Sequence, residues 1–391
     1  MVTLSIGRRL GAAARWFAIV TVFMATAELF ARVDDARKWG APLFSPYTHD
    51  RLLQQDSLGF FRGRPNYRYQ KWRMNNVGFR GSDIEPMPAR GVTRVAVMGA
   101  SETFGLYESE GAEYPARMQT LLDSLAPGRF EVINAGLFGM SLSGMSMYFQ
   151  RVILPAHPEI LLVYPTPPFY LEERPPPVVY TPPRYTPPRL VRVGLWAFPP
   201  DFFDSRIGEK GREVLKSLIP DVAVTAVREW QLDRERSAHP ADWVWPSVPA
   251  DRMAILKQHF ERLVTCVQSA GVKMVLVTHT NRFVGAPVDT LGPDRRHLVN
   301  DMSQYWPEAS KSVLVAIDSV ANAVVRQVAA EHGVSVAEAE GRIPPTSRYF
   351  ADYDHFTDAG ADRMARITSA TVMQMSSGAT AQLPPQRVTC R

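Results

Sequence analysis

A serine in the first third of this chain stands in a context that favours nucleophilic chemistry. Ser101 follows a run of strand-forming residues that ends at Gly99, and a helical pattern follows from about Tyr114. A strand, a tight turn and a helix place such a hydroxyl at the carboxyl edge of a parallel sheet, where open α/β sheets carry their sites. On this segment alone, a plain turn with Ser101 as a helix N-cap is an equally good interpretation.

The base that such a serine needs is found near the other end of the chain. A serine becomes nucleophilic when a base takes its proton and a third group orients that base. His355 is preceded three residues earlier by Asp352, ahead of the last predicted helix. Asp354 is adjacent and is not expected to fold back onto the same ring, so Asp352 is the better orienting group. The other histidines, including His279 and His297 in predicted loops, lack such a context.

Strands and helices alternate through the region that must position these residues. The predicted strands are 95–98, 130–134, 160–164, 272–278 and 334–336, and the predicted helices are 114–125, 143–153, 251–270, 313–332 and 358–375. Each strand is a short apolar run without alternation, which is typical of strands covered on both faces. Such an order predicts right-handed βαβ units and a parallel sheet.

Three short blocks resemble those of the SGNH/GDSL hydrolase family in order and spacing. Residues 99–103 (Gly-Ala-Ser-Glu-Thr) are similar to its first block, 134–136 (Asn-Ala-Gly) to its second, and 352–355 (Asp-Tyr-Asp-His) to its last. The resemblance covers about residues 90–375. It implies a three-layer α/β sandwich whose central, mostly parallel sheet has flavodoxin-like order.

The resemblance also implies a Ser-His-Asp triad. Ser101 would be the nucleophile, His355 the general base and Asp352 its orienting carboxylate. The backbone N–H groups of Ser101 and Gly136 would bind the oxyanion, because pre-aimed donors stabilise the charge that develops on the carbonyl oxygen. No cofactor is implied.

Two departures from the family pattern bear on activity. Ala100 replaces the aspartate that usually precedes the serine, a residue with a mostly structural role. The family has Gly-x-Asn-Asp after the third strand, where the asparagine is an oxyanion donor, but residues 164–168 read Tyr-Pro-Thr-Pro-Pro. Losing one such donor typically costs roughly 10²–10³ in rate. Thr166 and Asn281 are the candidate replacements, and acyl transfer or an inactive binding domain are alternative outcomes.

The N-terminus predicts export. Arg8, Arg9 and Arg15 lie ahead of or at the start of an apolar run that continues through Phe30, and a helix of about 20 residues can span a bilayer. Cationic residues ahead of the run favour a cytoplasmic N-terminus with the body outside. Residues 25–27 (Ala-Thr-Ala) also resemble a signal-peptide cleavage site. We prefer an uncleaved anchor, and either interpretation exports residues 35–391.

The two cysteines show no metal-ligand spacing, and no metal site is expected. Cys266 lies in a helical pattern and Cys390 beside the C-terminus. The simplest interpretation is a buried free thiol and a second thiol in the tail.

Four regions follow from these patterns: an anchor or signal peptide (1–34), an extension (35–93), the α/β domain (94–375) with an insertion at 165–250, and a polar tail (376–391). Twelve of the 36 residues from Pro165 to Pro200 are proline. Proline lacks the N–H that a central strand needs, so this segment is expected to be an extended loop. It is either a passive insertion or an arm that binds a protein partner.

Composition narrows the function classes. The net charge is +5, but Lys and Arg are scattered without a basic stripe, which argues against nucleic-acid binding. The leading hypothesis is an exported serine esterase or O-acyltransferase acting on acyl, above all acetyl, esters of a carbohydrate or on a small ester; that substrate class is an analogy. Alternatives are an inactive polysaccharide-binding or assembly protein on the same fold, and an anchored scaffold. Hydrolysis and transfer stay open, because they differ only in the acceptor.

Overall fold

The computed structural model of the 391-residue chain describes residues 2–44, 49–55, 61–165, 191–193, 196–198, 205–283 and 292–377. The chain divides into two compact units. The first comprises Met1–Leu52, Tyr67–Arg73 and Thr186–Pro220, and the second Leu53–Asn66, Met74–Tyr185 and Asp221–Arg391. Thr166, most of the proline-rich segment and most of the polar tail lie outside the described residues.

Regular elements occupy most of the described chain. The helices are α1 (Val2–Trp39), α2 (Ser101–Phe104), α3 (Tyr114–Leu125), α4 (Leu142–Tyr148), α5 (Arg206–Leu218), α6 (Asp221–Ser237), α7 (Ala250–Ser269), α8 (Pro293–Met302), α9 (Lys311–His332) and α10 (Asp358–Ser377). The strands are β1 (Leu53–Gln55), β2 (Phe61–Gly63), β3 (Arg68–Tyr69), β4 (Trp72–Arg73), β5 (Thr93–Gly99), β6 (Phe130–Asn134), β7 (Ile160–Tyr164), β8 (Val191–Val193), β9 (Trp196–Phe198), β10 (Lys273–Val277) and β11 (Ser335–Ala337).

The first unit is built on the long N-terminal helix α1. Two described helices are long and apolar enough to cross a membrane, the segment Ala14–Trp39 of α1 and the helix α9. The most apolar window of the α1 segment is only 6% buried, whereas that of α9 is 50% buried. Because α9 contributes to the hydrophobic core of the second unit, it is a core helix, and α1 is the candidate span.

The second unit is organised around a five-stranded sheet. Its order is β11-β10-β7-β5-β6, and every neighbouring pair is parallel. Numbered from the first strand of the sheet along the chain, this is the order 2-1-3-4-5, which is flavodoxin-like. The prediction of a parallel sheet in this order is confirmed.

Helices cover both faces of this sheet, which completes the three layers. On one face, Tyr114 and Met118 of α3 pack with Met364 of α10 against buried strand residues such as Val97. On the other face, α4, α7 and α9 bury a larger cluster that includes Phe260 and Ile317. Both faces are therefore buried, which explains why the strands show no polar alternation.

Strands β8 and β9 lie in the segment that was expected to be an extended loop, so that expectation is wrong at these residues. They pair antiparallel with each other in a two-stranded sheet separate from the central one. The helix predicted over 143–153 is divided in the structure. The α-helix α4 gives way to a π-helical turn at Phe149–Ile153, and a short 3-10 turn then contains Pro155. Proline cannot donate a helical hydrogen bond, so the chain cannot continue as an α-helix there.

Cys266 is buried in α7 and is disulfide-bonded. The expectation of a free buried thiol at this position is therefore wrong.

Gly136, directly after β6, provides a test of the packing around the sheet edge. A Cβ there would lie 2.4 Å from the Phe104 nitrogen and 2.7 Å from the Thr103 carbonyl carbon, both backbone atoms of α2. We expect Gly136→Ala to lower the free energy of unfolding by about 3 kcal/mol, since the backbone of α2 must move. Urea denaturation of Gly136→Ala beside Gly144→Ala measures this. At Gly144 the nearest atom is the Ser141 hydroxyl at 3.3 Å, and an equal loss in both variants would contradict the prediction.

Candidate active site

Ser101 is placed at the sheet edge by a closely packed turn, in which position 99 has no room for a side chain. Ser101 is the first residue of α2 and is separated from the end of β5 only by Ala100. A Cβ on Gly99 would lie 2.0 Å from Thr103 Oγ1 and 2.6 Å from the Tyr164 carbonyl oxygen. The four-residue helix ends at Gly105, whose φ of 86° is left-handed and suits glycine. The serine is therefore held on a short, closely packed turn and is half-buried.

Arg80, from the turn that precedes the α/β region, fixes the far end of α2. Its buried guanidinium donates to the carbonyl oxygens of Phe104, at 2.6 Å, and Gly105. The same guanidinium pairs with the buried Glu113 carboxylate at 3.3 Å. The last carbonyls of a helix have no helical partner, so a cation there satisfies them. The turn around Arg80 thus supports the element that carries Ser101.

His355 reaches Ser101 from the loop before α10. Its Nε2 lies 2.8 Å from Ser101 Oγ, and its Nδ1 lies 2.8 Å from Asp352 Oδ2. Asp352 Oδ1 accepts from the backbone N–H groups of Asp354 and His355 at 3.1 and 2.9 Å. An aspartate bonded to backbone two and three residues ahead forms a rigid turn. The structure brings the three predicted triad residues together, and the turn fixes the imidazole.

Asp354 lies closer to the ring than the sequence suggested. Its Oδ1 is 2.9 Å from His355 Nδ1, although the two residues are adjacent. The expectation that Asp354 stays away from the imidazole is therefore wrong. Asp352 makes hydrogen bonds to the ring and to the backbone. The Asp354 carboxylate is buried and lies near the same ring nitrogen.

A second histidine–carboxylate set lies beneath the serine. Ser101 Oγ lies 3.3 Å from Glu102 Oε2, and Glu102 Oε1 lies 3.5 Å from His279 Nε2. The Nδ1 of this imidazole lies 2.9 Å from Asp318 Oδ2 in α9. Glu102, His279 and Asp318 are all buried, with at most 1% of any residue exposed.

The second histidine is held in place through both its backbone and its ring. Asn322 brackets its backbone, accepting from the His279 N–H at 2.7 Å and donating to the His279 carbonyl at 2.9 Å. The Tyr164 ring stacks on it, with centroids 5.0 Å apart. With 0% of His279 exposed, this group cannot touch a substrate, and its effect on Ser101 must pass through Glu102.

Charge in this region is shared between carboxylates and imidazoles. Burial opposes a charged ring, yet Asp318 and Glu102 raise the pKa of His279 to about 10. Burial likewise opposes charge on His355, but Asp354 and Asp352 raise the pKa of that imidazole well above its ordinary value. Burial raises the pKa of Asp354 to about 8 against the attraction of His355. Both rings therefore favour the cationic form.

Two overlapping sets of donors are close enough to share a cation: Glu102, His279 and Asp354, and Asp352, Asp354 and His355. In both sets the carboxylates already stabilise a protonated imidazole, which supplies the positive charge that a metal ion would otherwise bring. The residues of both sets belong to the serine site.

The predicted oxyanion donors have other contacts. The Gly136 N–H donates to Asn134 Oδ1 at 3.0 Å. The Asn281 amide donates to Asp318, and its oxygen accepts from the Phe283 N–H at 2.7 Å. Thr166 lies outside the described residues. The oxyanion roles of Ser101 and Gly136, and of either replacement donor, stay predictions.

The sequence reasoning missed Glu102, His279 and Asp318. One signal was available, because His279 lies two residues beyond β10, at the same carboxyl edge as Ser101. Asp318 carried no such signal, since it stands in the middle of the apolar helix α9.

Neither the protein-family models nor the curated proteins include a match to this chain. Among solved structures, the chain is similar to a lipase/acylhydrolase from Enterococcus faecalis (12% identity, 73% of this chain, 97% of that chain, TM-score 0.39). It is also similar to an acetyl xylan esterase variant from Geobacillus stearothermophilus (15% identity, 72% of this chain, 95% of that chain, TM-score 0.38). A third similar structure is a GDSL-like lipase from Parabacteroides merdae (10% identity, 72% of this chain, 95% of that chain, TM-score 0.39).

These likenesses concern the fold alone, and at such TM-scores they say nothing about the site. The five-stranded parallel sheet with helices on both faces is the three-layer α/β sandwich that the sequence resemblance implies.

His279→Gln tests the buried charge balance. Removing the cation leaves the Glu102 and Asp318 carboxylates uncompensated, so we expect a loss of about 3–5 kcal/mol of stability at pH 7. The folded pKa of about 10 lies above the ordinary value of 6.5. The stabilisation is therefore complete below pH 6.5 and is lost as pH rises toward 10.

Urea denaturation between pH 6 and 10 measures both effects. The decline of stability across this window should be smaller in His279→Gln. His297→Gln, which changes an exposed histidine of α8, should stay within about 0.5 kcal/mol of wild type. A wild-type pH dependence in His279→Gln would show that the ring carries no buried charge.

Proposed function

We propose that this protein is a serine ester hydrolase or O-acyltransferase in which Ser101 is the nucleophile, His355 the general base and Asp352 the orienting carboxylate. The observation that carries the proposal is the continuous series of contacts from Ser101 Oγ to His355 Nε2, at 2.8 Å, and from His355 Nδ1 to Asp352 Oδ2, at 2.8 Å. Each distance is within hydrogen-bond reach for a nucleophile, its base and the group that orients the base.

The reaction would proceed in two steps. Ser101 Oγ attacks the ester carbonyl while its proton passes to His355 Nε2, and the collapsing intermediate releases the alcohol, which takes that proton. This leaves an acyl group on Ser101. A water or a carbohydrate hydroxyl then attacks the acyl carbonyl and gives its proton to His355. The bond from the acyl carbon to Ser101 Oγ breaks, the acid or a new ester leaves, and His355 returns the proton to Ser101 Oγ, which restores the serine.

The substrate class in this proposal is an acyl, above all acetyl, ester of a carbohydrate. Tyr107 supports it, because its ring meets the His355 ring edge to face at 5.2 Å and is 52% exposed. An exposed aromatic face beside the base is a surface on which a sugar ring can stack.

We place the catalytic unit on the exported side of a membrane, anchored by α1. Arg8, Arg9 and Arg15 around the start of the apolar run support a cytoplasmic N-terminus. The disulfide at Cys266 supports an oxidising compartment, since disulfides are rare in the cytosol. The alternative is secretion after cleavage behind Ala27. The protein partner suggested for the proline-rich segment stays a prediction.

Ester hydrolysis is the direct test. Full-length protein in detergent should hydrolyse p-nitrophenyl acetate and react with a fluorophosphonate probe, and Ser101→Ala should lose both, because no other residue is proposed as nucleophile. Ser146→Ala changes a buried serine of α4 and should keep both activities. Equal turnover by wild type and Ser101→Ala would contradict the proposed role. Adding an acetyl acceptor such as a short oligosaccharide distinguishes transfer from hydrolysis by the product.

The two aspartates should differ in how much activity their loss costs. Asp352→Asn removes the group that orients His355, so we expect kcat/KM to fall by about 10⁴. Both carboxylates raise the pKa of His355, and the base must be neutral to act, so the rise of kcat/KM with pH should move to lower pH in both variants. In Asp354→Asn, which keeps the orienting group, we expect this shift without the large loss of rate.

The measurement is kcat/KM from pH 5 to 10 for both variants. If the rise of kcat/KM with pH moves to higher pH in Asp354→Asn, or stays at the wild-type pH, this assignment of the charges is contradicted.

A non-catalytic, polysaccharide-binding role on the same fold is the second candidate. It is favoured by the engagement of the Gly136 N–H with Asn134 and of the Asn281 amide with Asp318. Without donors, the oxyanion would go unstabilised, at a cost of roughly 10²–10³ in rate for each donor. No fluorophosphonate labelling of folded wild-type protein would favour this candidate.

A further inference from the structure

Helix α5 is attached to the candidate membrane span by polar contacts, most of them partly buried. The Glu28 carboxylate of α1 accepts from Ser205 Oγ at 2.9 Å and from the backbone N–H groups of Arg206 and Ile207, both at 3.0 Å. These N–H groups lie at the start of α5, where a helix has no internal acceptors. The carboxylate of α1 thus caps α5.

Ion pairs extend this attachment along α5. Lys210 Nζ lies 2.6 Å from Asp34 Oδ2 and 3.0 Å from Asp35 Oδ1. Arg206, which is 2% exposed, lies 3.7 Å from the second of these aspartates. The first turn and a half of α5 is therefore fixed at the level of the two turns of α1 from Glu28 to Asp35.

That level is the end of the apolar part of α1. Apolar side chains are exposed along α1 as far as Phe30, which is 75% exposed, and, after the single Glu28 in this run, charged residues recur from Arg32 onward. Ile207 and Lys210 line a groove on α1 together with Phe23, Ala27 and Phe30. Since this groove reaches seven residues into the apolar run, about 10 Å at 1.5 Å per residue, α5 begins at the depth where an anchor would pass from lipid to water.

The rest of α5 exposes apolar side chains on the same face. Val214, Leu215 and Leu218 are 59%, 63% and 72% exposed. Positions i, i+1 and i+4 share one side of a helix, and Ile207 lies on that side seven residues before Val214. The exposed Arg212 and Glu213 precede them on the other side. The apolar surface of the anchor is thus continued by the apolar face of α5.

We propose that α5 lies in the interface of the membrane that α1 crosses, with Val214, Leu215 and Leu218 in contact with lipid. An amphipathic helix of this kind buries its apolar face at the boundary between head groups and acyl chains. Lipid is the occupant that the attachment to α1 favours, because Glu28 and the two aspartates hold α5 at that boundary. The inference rests on the proposed anchor and adds a second membrane contact.

Site-specific photo-crosslinking tests the proposal in the full chain. The photoreactive amino acid p-benzoylphenylalanine replaces Leu218 on α5, Phe23 on the span or Glu213 on the polar side of α5. Each variant is reconstituted in vesicles of phosphatidylcholine and phosphatidylglycerol that contain an alkyne-tagged phosphatidylcholine. We expect labelling at 218 and at 23 to exceed that at 213 at least fivefold.

The outcomes distinguish a failure of this inference from a failure of the proposed membrane anchor. Labelling at 23 but not at 218 overturns the interfacial position of α5 and leaves the anchor intact. Labelling at neither position removes both, and equal labelling at 213 and 218 overturns the one-sided orientation. A crosslink from 218 to a second copy of the chain, in place of lipid, would identify the apolar face as a protein interface and also overturn the proposal.

Discussion

The balance of buried charge around Ser101 is the constraint on which the rest of the site depends. Glu102, Asp318 and Asp354 are each at most 1% exposed, and a buried carboxylate is costly unless a cation or a proton neutralises it. Two imidazoles supply that charge, and burial leaves Asp354 with a raised pKa, so that it holds a proton more readily. His355 is therefore both the proposed base for Ser101 and part of the charge that compensates these buried carboxylates.

The sheet edge explains how distant residues meet in so small a volume. Ser101 follows β5, His279 follows β10, and the His355 loop precedes α10, so all three lie at or beside the carboxyl ends of parallel strands. Arg80 acts from outside this arrangement by holding the last carbonyls of α2. The position of Ser101 is thus set by backbone packing at Gly99 and by a cation at the other end of a four-residue helix.

The sequence predicted most of the sheet, because each central strand is a contiguous apolar run between clear turn signals, as at Ile160–Tyr164. It also predicted the grouping of Ser101, Asp352 and His355, since local spacing carries two of the three. It did not predict the His279–Asp318 pair, which is 39 residues apart and depends on the rotation of α9. The proximity of Asp354 to the ring depends on the backbone of a tight turn, and residue spacing does not encode it.

The electrostatics of the site favour the state that follows proton transfer. The carboxylates that raise the pKa of His355 stabilise the imidazolium that forms when Ser101 loses its proton. The same carboxylates reduce the fraction of neutral imidazole in the resting protein, so the proposed reaction should be faster at higher pH. Glu102 adds a further constraint, because an anionic carboxylate 3.3 Å from Ser101 Oγ opposes negative charge on that oxygen. The buried His279 side chain, whose pKa is raised, offsets this opposition, which gives an inaccessible residue an influence on Ser101 through Glu102.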